Sequence, residues 1–572
     1  MKNAEVAEIF RDIAMILEIK ADNRFKIRAY ERAAQNIEGL TEDIEVFVRE
    51  NRVQDIPGVG KDLASKITEI VSTGKLKYLE ELSASIPPGL LEVVSIPSIG
   101  PKTAKLFYDQ LHIEDIEGLE QAIRTDELLG LPGIKEKTIE NITRGISLLK
   151  KGRERMHLAM AISIAGEFIT TLKNLKEVKR ISVGGSLRRM KETVRDIDIL
   201  IISPQPQRVM DLFTTLPQVK RVLVKGHTKS SVLIQEDVQV DLRVVENKSF
   251  GAALLYFTGS KNFNIKLRQR ALKKEFKINE YGIFSTKGKK ERFVTGKTEE
   301  EIFEVLDLGY IEPELREDTG EVELASKDKL PNLVELSDIK GDFHAHSTWS
   351  DGTNSILEMA HAAKKRGLQY IAITDHSQSL RVASGLSYAE LKQKRKVIEK
   401  INKSLKGLRV LFGTELEIDS KGNLDYKDSV LAEFDIVIAA IHSGFRQSKE
   451  QLTNRIVKAC ENKHVDIIAH PTGRLWGSRE ACEIDFEEIF KVAKQTDTFL
   501  EINAFSNRLD LSDVHARRAK EVGAKLAIGT DSHSVEHLSM MDLGVAVARR
   551  GWLEKKDVAN TLTLEELMRI KR

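Results

Sequence analysis

The sequence predicts a multidomain protein with an all-α N-terminal region, an α+β middle region and a C-terminal α/β region. At 572 residues, the chain is long enough for about three or four domains of ordinary size. Three glycine hairpins recur between amphipathic helices near the N-terminus, and strand-like and helix-like stretches alternate from residue 341 onward. Such alternation is typical of a parallel sheet or an α/β barrel.

Composition and charge restrict the class of protein. No apolar run approaches the roughly 20 residues that span a bilayer, and the N-terminus shows no signal-peptide pattern. The two cysteines, Cys460 and Cys482, exclude a disulfide framework and fit a reducing compartment. The net charge of +2 conceals a basic segment, because residues 151–315 carry 30 Lys and Arg against 21 Asp and Glu. We therefore expect a cytoplasmic protein, without a membrane anchor, that binds a polyanion.

The three hairpins form an internal repeat with a period of about 35 to 40 residues. They read IPGVGK from residue 56, IPSIGPK from residue 96 and LPGIK from residue 131. Each copy resembles the helix-hairpin-helix motif, whose glycine turn presents backbone N–H groups to a nucleic-acid phosphate without reading sequence. A single copy would equally fit an ordinary helix turn. The third copy lacks the second glycine, which makes its contact the weakest. The candidate nucleic-acid-binding residues are Gly58, Gly60, Gly100, Lys102 and Gly133.

The stretch VGGSLRRMKETVRDIDILII, residues 183–202, predicts a strand, a glycine turn into a short helix, and a second strand. Because side chains alternate along a strand, Asp196 and Asp198 share one face of it. Asp241, in the strand-like run VQVDLRVV, is a third acid. Such carboxylates suit Mg²⁺ or Mn²⁺, although an edge strand with solvated acids is the alternative.

The glycine turn before this second strand suits a phosphate. Gly185 and Ser186 offer N–H groups and a hydroxyl at a helix N-terminus, and Arg189 follows closely. Three acids, a phosphate-binding turn and an arginine together indicate two-metal nucleotidyl transfer.

The C-terminal region contains a second group of candidate metal ligands, which repeatedly follow strand-like runs. Imidazole and carboxylate without thiolate suit manganese, zinc or iron, and several such ions favour phosphoester hydrolysis. Arg474 is either a phosphate-binding residue or a solvated loop residue. The candidates are His344, His346, Asp351, His376, Glu415, His442, His470, Asp531 and His533.

These motifs carry a family resemblance. With GGSLRR, RDIDIL, VDLR, YFTGS and INEYG, residues 1–315 resemble a family X DNA polymerase of the polymerase β type, and residues 340–572 resemble a PHP domain. The combination resembles the bacterial and archaeal family X polymerases with a C-terminal PHP domain, which implies an α/β PHP barrel. The implied domains are an N-terminal helical domain (1–90), a fingers-like hairpin region (91–150), a nucleotidyltransferase palm (151–245), a thumb (246–315), a linker (316–339) and the PHP domain (340–572).

The resemblance implies roles for polymerase residues. Asp196 and Asp198 would hold both catalytic metal ions, and Asp241 would join the ion at the primer 3′-hydroxyl. Lys66 matches a lysine that forms a Schiff base in polymerase β, but the neighbouring Asp62 departs from that pattern, so a DNA-contacting lysine is the alternative. The implied nucleotide-binding residues are Gly185, Ser186, Arg189, Tyr256, Phe257, Gly259, Asn264 and Arg268.

For the PHP domain, the resemblance implies three ions, Mn²⁺ or Zn²⁺, in three overlapping ligand sets. The first set would be His344, His346, Glu415 and Asp531, the second Glu415, His442 and His470, and the third Asp351, His376 and His533.

The implied function is DNA-directed gap filling in base excision repair, together with a metal-dependent 3′–5′ exonuclease and optionally AP endonuclease or 3′-phosphatase activity. The expected partners are gapped, nicked or primer-template DNA and dNTPs, and the expected state is a monomer. The alternatives are a small-molecule phosphatase fused to a polymerase, a DNA-end-binding scaffold, and a nucleotidyltransferase that acts on another acceptor.

Overall fold

The protein is described by a computed structural model in two compact units. One unit comprises residues 1–153 with 477–480, and the other comprises residues 154–476 with 481–572. Pro57, Pro97 and Ser98, which belong to the first two predicted hairpins, lie outside the described residues. The described residues are 3–38, 44–56, 58–96, 99–288 and 290–570.

The first unit is all-α, as predicted. Phe10, Tyr30 and Ile67 belong to one buried cluster, and Leu90 and Phe107 belong to another. The amphipathic pattern seen in the sequence therefore serves two small cores. The helices are α1 (Asn3–Ile19), α2 (Arg24–Glu38), α3 (Ile44–Arg49), α4 (Lys61–Thr73), α5 (Lys77–Ser83), α6 (Pro88–Val94), α7 (Pro101–Leu111), α8 (Ile116–Arg124) and α9 (Glu136–Glu154).

The glycine hairpins lead directly into helices. Gly60 and Gly100 are the N-cap residues of α4 and α7, so each helix begins directly after its hairpin glycine. Gly58 and Gly133 have φ values of +77° and +82°. Positive φ is a conformation that glycine adopts at little cost, which explains the glycine at these turns.

The second unit begins with an α+β domain, the palm. Its five-stranded sheet has the order β2-β4-β7-β6-β5; β4 and β7 are parallel, and the other neighbouring pairs are antiparallel. The predicted strand, turn, short helix and strand are confirmed as β2, α11 and β4. The elements are β1 (Met156–His157), α10 (Leu158–Lys173), β2 (Arg180–Val183), α11 (Gly185–Arg188), β3 (Thr193–Val194), β4 (Asp196–Ile202), α12 (Pro206–Thr214), β5 (Val219–Lys225), β6 (Lys229–Ile234) and β7 (Gln239–Val244).

The thumb follows the palm and contains a three-stranded antiparallel sheet. Residues 276–279 form the first of these strands, and the chain turns only at 280–281. The side chain of Asn279 accepts hydrogen bonds from the N–H groups of Tyr281 (2.9 Å) and Gly282 (3.2 Å), which closes that turn. The elements are α13 (Phe250–Thr258), α14 (Lys261–Lys273), β8 (Phe276–Asn279), β9 (Gly282–Ser285), β10 (Arg292–Thr295) and α15 (Glu299–Val305).

The segment 316–339, expected to be a linker, is packed against the thumb. It contains the helix α16 (Glu321–Ala325), and Val322 belongs to the thumb core. Arg316 is fully buried and pairs with Glu299 at 2.5 Å. This burial could not be read from the polar sequence, because the carboxylate that pairs with Arg316 belongs to a separate element, the helix α15.

The C-terminal domain contains seven parallel strands in sequential order. Ala345 pairs with Ser532, next to the first and last strands, so the sheet is a nearly closed barrel, as predicted. The strands are β11 (Gly341–Asp342), β12 (Tyr370–Ile373), β13 (Arg409–Glu417), β14 (Ile436–Ala440), β15 (Ile467–Ile468), β16 (Phe499–Asn503) and β17 (Leu526–Gly529).

Helices cover this barrel, and their starts are written in the sequence. Ser355, Ser387 and Ser448 form capping boxes with a Glu or Gln three residues later. No described helix combines the length and apolar character that crossing a membrane requires. The helices are α17 (Ile356–Lys365), α18 (Tyr388–Ser404), α19 (Asp428–Leu431), α20 (Lys449–Glu461), α21 (Phe486–Thr496), α22 (Asp513–Val522), α23 (Met541–Arg550) and α24 (Leu564–Ile570).

Candidate active sites

The three palm acids lie on adjacent strands. Asp196 and Asp198 are on β4, Asp241 is on β7, and Asp198 is directly paired with Asp241 in the parallel register. Asp196 is exposed and Asp198 half-buried, while Ile197 between them is buried, as the alternation along a strand requires. The structure thus brings the three carboxylates to one face at the start of β4.

Burial and mutual repulsion act on this group. Burial, followed by the nearby carboxylates of Asp196 and Asp241, raises the pKa of Asp198 to about 7. A group of like charges that disfavours its own ionised form needs a cation beside it. The palm acids therefore fit a divalent metal site with oxygen ligands.

The glycine turn packs directly against these acids. Gly184 donates its N–H to the carbonyl of Asp198 at 2.8 Å. Gly185 has φ +61°, and a Cβ there would lie 2.7 Å from Asp198 Oδ2. Glycine is required at this position by both its backbone conformation and the approach of the carboxylate. Ser186 follows on α11 and is half-buried.

The predicted nucleotide-binding residues of the thumb are grouped at the end of α13 and on α14. Asn264 donates to the carbonyl of Tyr256 at 2.8 Å, and the guanidinium of Arg268 lies 5.4 Å from the Tyr256 ring centre. The rings of Tyr256 and Phe257 are 5.0 Å apart. A Cβ at Gly259 would lie 3.1 Å from Arg189 Nη1, so Gly259 leaves room for the arginine that follows α11.

In the N-terminal unit, Lys66 Nζ pairs with Asp62 Oδ1 at 2.6 Å and lies 4.9 Å from the centre of the Tyr78 ring. The amine is therefore engaged by an anion and an aromatic face. Gly58, Gly60, Gly100, Lys102 and Gly133 lie at the described ends of the hairpins, before or at the start of the following helix.

In the barrel, the structure brings all nine predicted ligands to one end of the strands. His344 and His346 follow β11, His376 follows β12, and His442 follows β14. Functional side chains at the C-terminal ends of parallel strands are typical of an α/β barrel active site. The others are Asp351 after β11, Glu415 within β13, His470 after β15, and Asp531 and His533 after β17.

Glu415 is the centre of this cluster. Its Oε1 lies 2.9 Å from His470 Nε2 and 3.1 Å from His442 Nε2. Its Oε2 lies 2.9 Å from His376 Nδ1 and 3.5 Å from both His344 Nε2 and His346 Nε2. One carboxylate therefore lies next to members of all three implied sets, although the resemblance places Glu415 only in the first two.

Donor atoms in three sets lie within 4.8 Å of one another in the described part of the chain: His344, His346 and Asp531; His376, Glu415 and His442; and His346, Asp351, His376 and His533. These sets differ from the implied ones in two ways. His376 joins the second set and His346 the third, whereas Glu415 is absent from the first set and His470 from the second.

Burial keeps two of the cluster histidines neutral. Nearby carboxylates outweigh burial and raise the pKa of the four others, His344, His376, His442 and His533. Burial, with His533 and His376 nearby, lowers the pKa of His346 to about 4, and burial with Arg508 nearby lowers that of His470 to about 3. Both rings are therefore neutral at pH 7, the form that ligates metals. Within the described residues, the Nδ1 atoms of His346 and His470 are buried without a hydrogen-bond partner. The cluster thus fits divalent ions.

Two carboxylates that the sequence analysis missed orient these histidines. Glu501 Oε1 lies 2.7 Å from His344 Nδ1, and Glu417 Oε2 lies 2.7 Å from His442 Nδ1. A carboxylate on the second ring nitrogen fixes the tautomer of a metal-binding histidine. The run FLEINA, which ends β16 in the same way as the ligand-bearing runs, is the signal that could have identified Glu501.

Arg474 is neither solvated nor free to hold a phosphate. It donates to Glu192 Oε2 of the palm at 3.0 Å, to the carbonyl of Arg508 at 3.0 Å and to the carbonyl of Leu509. Arg508 is instead the arginine beside the cluster. Its Nε lies 3.1 Å from Asp531 Oδ2, and its Nη1 is buried with no hydrogen-bond partner among the residues that the structure describes.

Family models match four parts of the chain. A helix-hairpin-helix domain matches residues 1–76, and a SAM-like helix-hairpin-helix tandem matches residues 90–147. The DNA polymerase beta thumb matches residues 253–317, and the PHP domain matches residues 342–505.

Comparisons with individual proteins agree with these family matches. DNA polymerase lambda of Rattus norvegicus is 25% identical over 346 residues, which are 55% of this chain and 56% of that protein. A probable phosphatase of Thermoanaerobacter sp. is 33% identical over 232 residues, 38% of this chain and 89% of that protein. The DNA polymerase/3′-5′ exonuclease PolX of Bacillus subtilis is 41% identical over 569 residues, 99% of both chains. The chain therefore belongs to the PolX family of DNA polymerases with a PHP domain.

Proposed function

We propose that this protein fills short gaps in DNA at the palm and removes nucleotides from 3′ ends at the PHP barrel. The observation that carries the polymerase assignment is the pairing of Asp198 with Asp241 on adjacent parallel strands, with Gly185 packed against Asp198. Asp196, Asp198 and Asp241 would hold two ions, Mg²⁺ or Mn²⁺. These ions supply charge neutralisation and alignment of the primer 3′-hydroxyl with the α-phosphate.

The chain's own residues would bind and orient the nucleotide. Gly185, Ser186 and Arg189 would contact the triphosphate through N–H groups, a hydroxyl and a guanidinium. The end of α13, with Tyr256 and Phe257, and the turn at Gly259 would place backbone beside the sugar and disfavour a 2′-hydroxyl. Asn264 and Arg268, on the same thumb surface as Tyr256, would contact the minor-groove edge, where correct pairs share acceptors.

In the barrel, we assign the nine clustered His, Asp and Glu side chains to three ions, Mn²⁺ or Zn²⁺, that supply Lewis-acid chemistry for hydrolysis. Glu501 and Glu417 would hold His344 and His442 in the ligating tautomer. Arg508 would donate its unpartnered Nη1 to a phosphate oxygen of the strand being cut. Side chains that hold the ions and an arginine that contacts the phosphate are what a 3′–5′ exonuclease needs.

The hairpins would bind the DNA backbone. Gly58, Gly60 and Gly100 would direct N–H groups at phosphates, Lys102 would add a cation, and Gly133 would contribute a weaker third contact. Substrates would be gapped, nicked or primer-template duplexes with dNTPs, and the protein would act as a monomer in the cytoplasm.

Removal of a 3′-phosphate or incision at an abasic site is a second candidate activity of the barrel. The similarity of 232 residues to a probable phosphatase favours the phosphomonoesterase. A primer ending in a 3′-phosphate distinguishes the reactions, because a phosphatase restores an extendable 3′-hydroxyl without shortening the primer.

The decisive experiment uses a one-nucleotide-gapped duplex with Mn²⁺, and follows extension and degradation of the same primer. We expect Asp198→Ala to abolish extension alone and His344→Ala to abolish degradation alone. Full degradation by His344→Ala would mean that the barrel is not the nuclease.

Matched controls come from the same domains. Asp211 on α12 is a palm acid that pairs with Lys225 on the surface, and His361 on α17 is an exposed histidine of the barrel domain. Asp211→Ala and His361→Ala should leave both reactions unchanged.

A further inference from the structure

A side chain of the PHP domain reaches the palm segment that ends the glycine turn. Arg550, the last residue of α23, is buried. Its Nη1 donates to the carbonyl of Arg189 at 2.8 Å and lies 3.1 Å from Glu317 Oε1. Its Nη2 pairs with Asp513 Oδ2 at 2.6 Å, within the PHP domain. Asp513 thus fixes one nitrogen of the Arg550 guanidinium within the PHP domain, while the other nitrogen, Nη1, contacts the palm.

The same carboxylate oxygen joins Arg550 to the side chain of Arg189. Glu317 Oε1 accepts from Arg189 Nε at 3.0 Å, and Arg189 Nη1 donates to the carbonyl of Thr258. Arg189 is thus held at its backbone by Arg550 and at its guanidinium by Glu317, which Arg550 also contacts. Charge-assisted hydrogen bonds among mostly buried groups are stronger and less screened than surface ion pairs.

A second contact from the barrel reaches the palm three residues further along the chain. Arg474 pairs with Glu192 Oε2 at 3.0 Å, and the carbonyl of Glu192 accepts from the N–H of Leu158 at 3.0 Å. The segment from Arg189 to Glu192, which leads into β3, is therefore held at both ends by side chains of the barrel domain.

We propose that Arg550 is a positioning residue for nucleotide binding, through which the PHP domain holds Arg189 ready for the incoming triphosphate. This inference rests on the proposed function, because that function assigns Arg189 to the triphosphate. A guanidinium that is fixed before binding loses less conformational entropy when the ligand arrives. The palm without Arg550 would bind dNTP more weakly while the acids on β4 and β7 still catalyse the transfer.

The test measures KM for dNTP and kcat for gap filling in the full chain. Loss of the charge-assisted contacts in Arg550→Ala should raise KM about five- to thirtyfold, with kcat within about twofold. The KM of Arg550→Lys, which keeps the charge but has a single donor group, should lie between those of wild type and Arg550→Ala. Exonuclease activity on a 3′-recessed duplex should stay unchanged, which shows that the barrel is intact.

Arg549→Ala is the matched control. Arg549 is the neighbouring residue on α23, and its Nε makes a similar contact to Glu314 Oε1 at 2.7 Å, away from Arg189. The KM of Arg549→Ala for dNTP should stay within about twofold of the wild-type value. An equal rise of KM in Arg549→Ala, or an unchanged KM in a folded Arg550→Ala, would overturn the proposal. If Arg550→Ala does not fold, Asp513→Asn replaces it, since that change only loosens the Arg550 guanidinium, and an unchanged KM there counts equally against the proposal.

A double-mutant cycle separates this proposal from the assignment of Arg189 itself. If Arg189→Ala alone leaves KM unchanged, Arg189 does not contact the triphosphate and the proposed function fails at that residue. If Arg189→Ala raises KM, Arg550→Ala should add almost nothing on that background. Additive effects would mean that Arg550 acts through another residue.

Discussion

Asp198 and Asp241 are paired residues on the parallel strands β4 and β7. This pairing joins two parts of the sequence more than 40 positions apart into one carboxylate group. Gly185 lies against the same group, since a Cβ at that position would lie 2.7 Å from Asp198 Oδ2. The position of the Asp198 carboxylate therefore depends on the glycine turn.

Gly185→Ala should impair extension because the added methyl group displaces the Asp198 carboxylate and the backbone has φ +61°. A displacement of about 1 Å at a catalytic group costs up to about a hundredfold in rate, so we expect kcat for gap filling to fall about 10- to 100-fold. Degradation of the primer should not change. Gly166→Ala on α10, where a Cβ meets no atom within 4 Å, is the control, and wild-type extension by Gly185→Ala would contradict this geometry.

Glu501→Gln should weaken metal binding in the barrel, since Glu501 accepts from His344 Nδ1 at 2.7 Å. Loss of such a partner typically lowers metal affinity about 10- to 100-fold. The Mn²⁺ concentration that gives half-maximal exonuclease activity should rise by that factor, and high Mn²⁺ should restore the rate. Glu487→Gln removes an exposed ion pair with Arg518 and should leave the Mn²⁺ dependence as in wild type; the same result for Glu501→Gln would exclude an orienting role.

Glu299→Gln should destabilise the thumb at pH 7, because Glu299 pairs with Arg188 at 2.6 Å and Arg316 at 2.5 Å in the interior. Removing one partner of a buried pair costs about 3 to 5 kcal/mol. Burial alone would raise the pKa of Glu299, but Arg316 and Arg188 outweigh it and lower the pKa from 4.5 to about 2.

A lowered pKa means that the stabilisation by Glu299 is complete above about pH 4.5 and is lost as the pH falls towards about 2. The difference in free energy of unfolding between wild type and Glu299→Gln should therefore shrink below pH 4.5. This difference is measured by unfolding the protein with denaturant and monitoring hydrogen exchange of the thumb amides. Glu300→Gln, at the next position of α15, is the control, and a difference that stays constant from pH 7 to pH 3 would contradict the assignment.

Lys66 would act as a Schiff-base lysine only when released from Asp62, which holds its Nζ at 2.6 Å. We expect Asp62→Ala to increase borohydride trapping of the protein on a 5′-deoxyribose phosphate end, and Lys66→Ala to abolish it. Lys61→Ala tests a neighbouring lysine at the start of α4. Trapping that persists in Lys66→Ala would assign the amine elsewhere.

Much of the fold followed from local pattern. The period of the apolar residues predicted helices before residue 150 and alternating strands and helices after residue 341, and the palm segment 183–202 has the predicted order of elements. The short strand at residues 276–279 was not visible in the sequence, because its Lys277 and Asn279 are equally common in a loop. The packing of segment 316–339 was not visible either, since Arg316 finds its anion at Glu299.

The sequence by itself determined which side chains form the two candidate sites, because their chemistry and their places after strands or glycine turns are local properties of the chain. Only the tertiary structure decided how these side chains are supported. The barrel cluster is contacted by three side chains, Glu501, Glu417 and Arg508. Arg474 pairs with Glu192 instead of facing a phosphate, and Arg550 contacts Arg189. Such partners are distant in the chain, and closure of the barrel and its packing on the palm, rather than any sequence period, bring them within hydrogen-bonding distance.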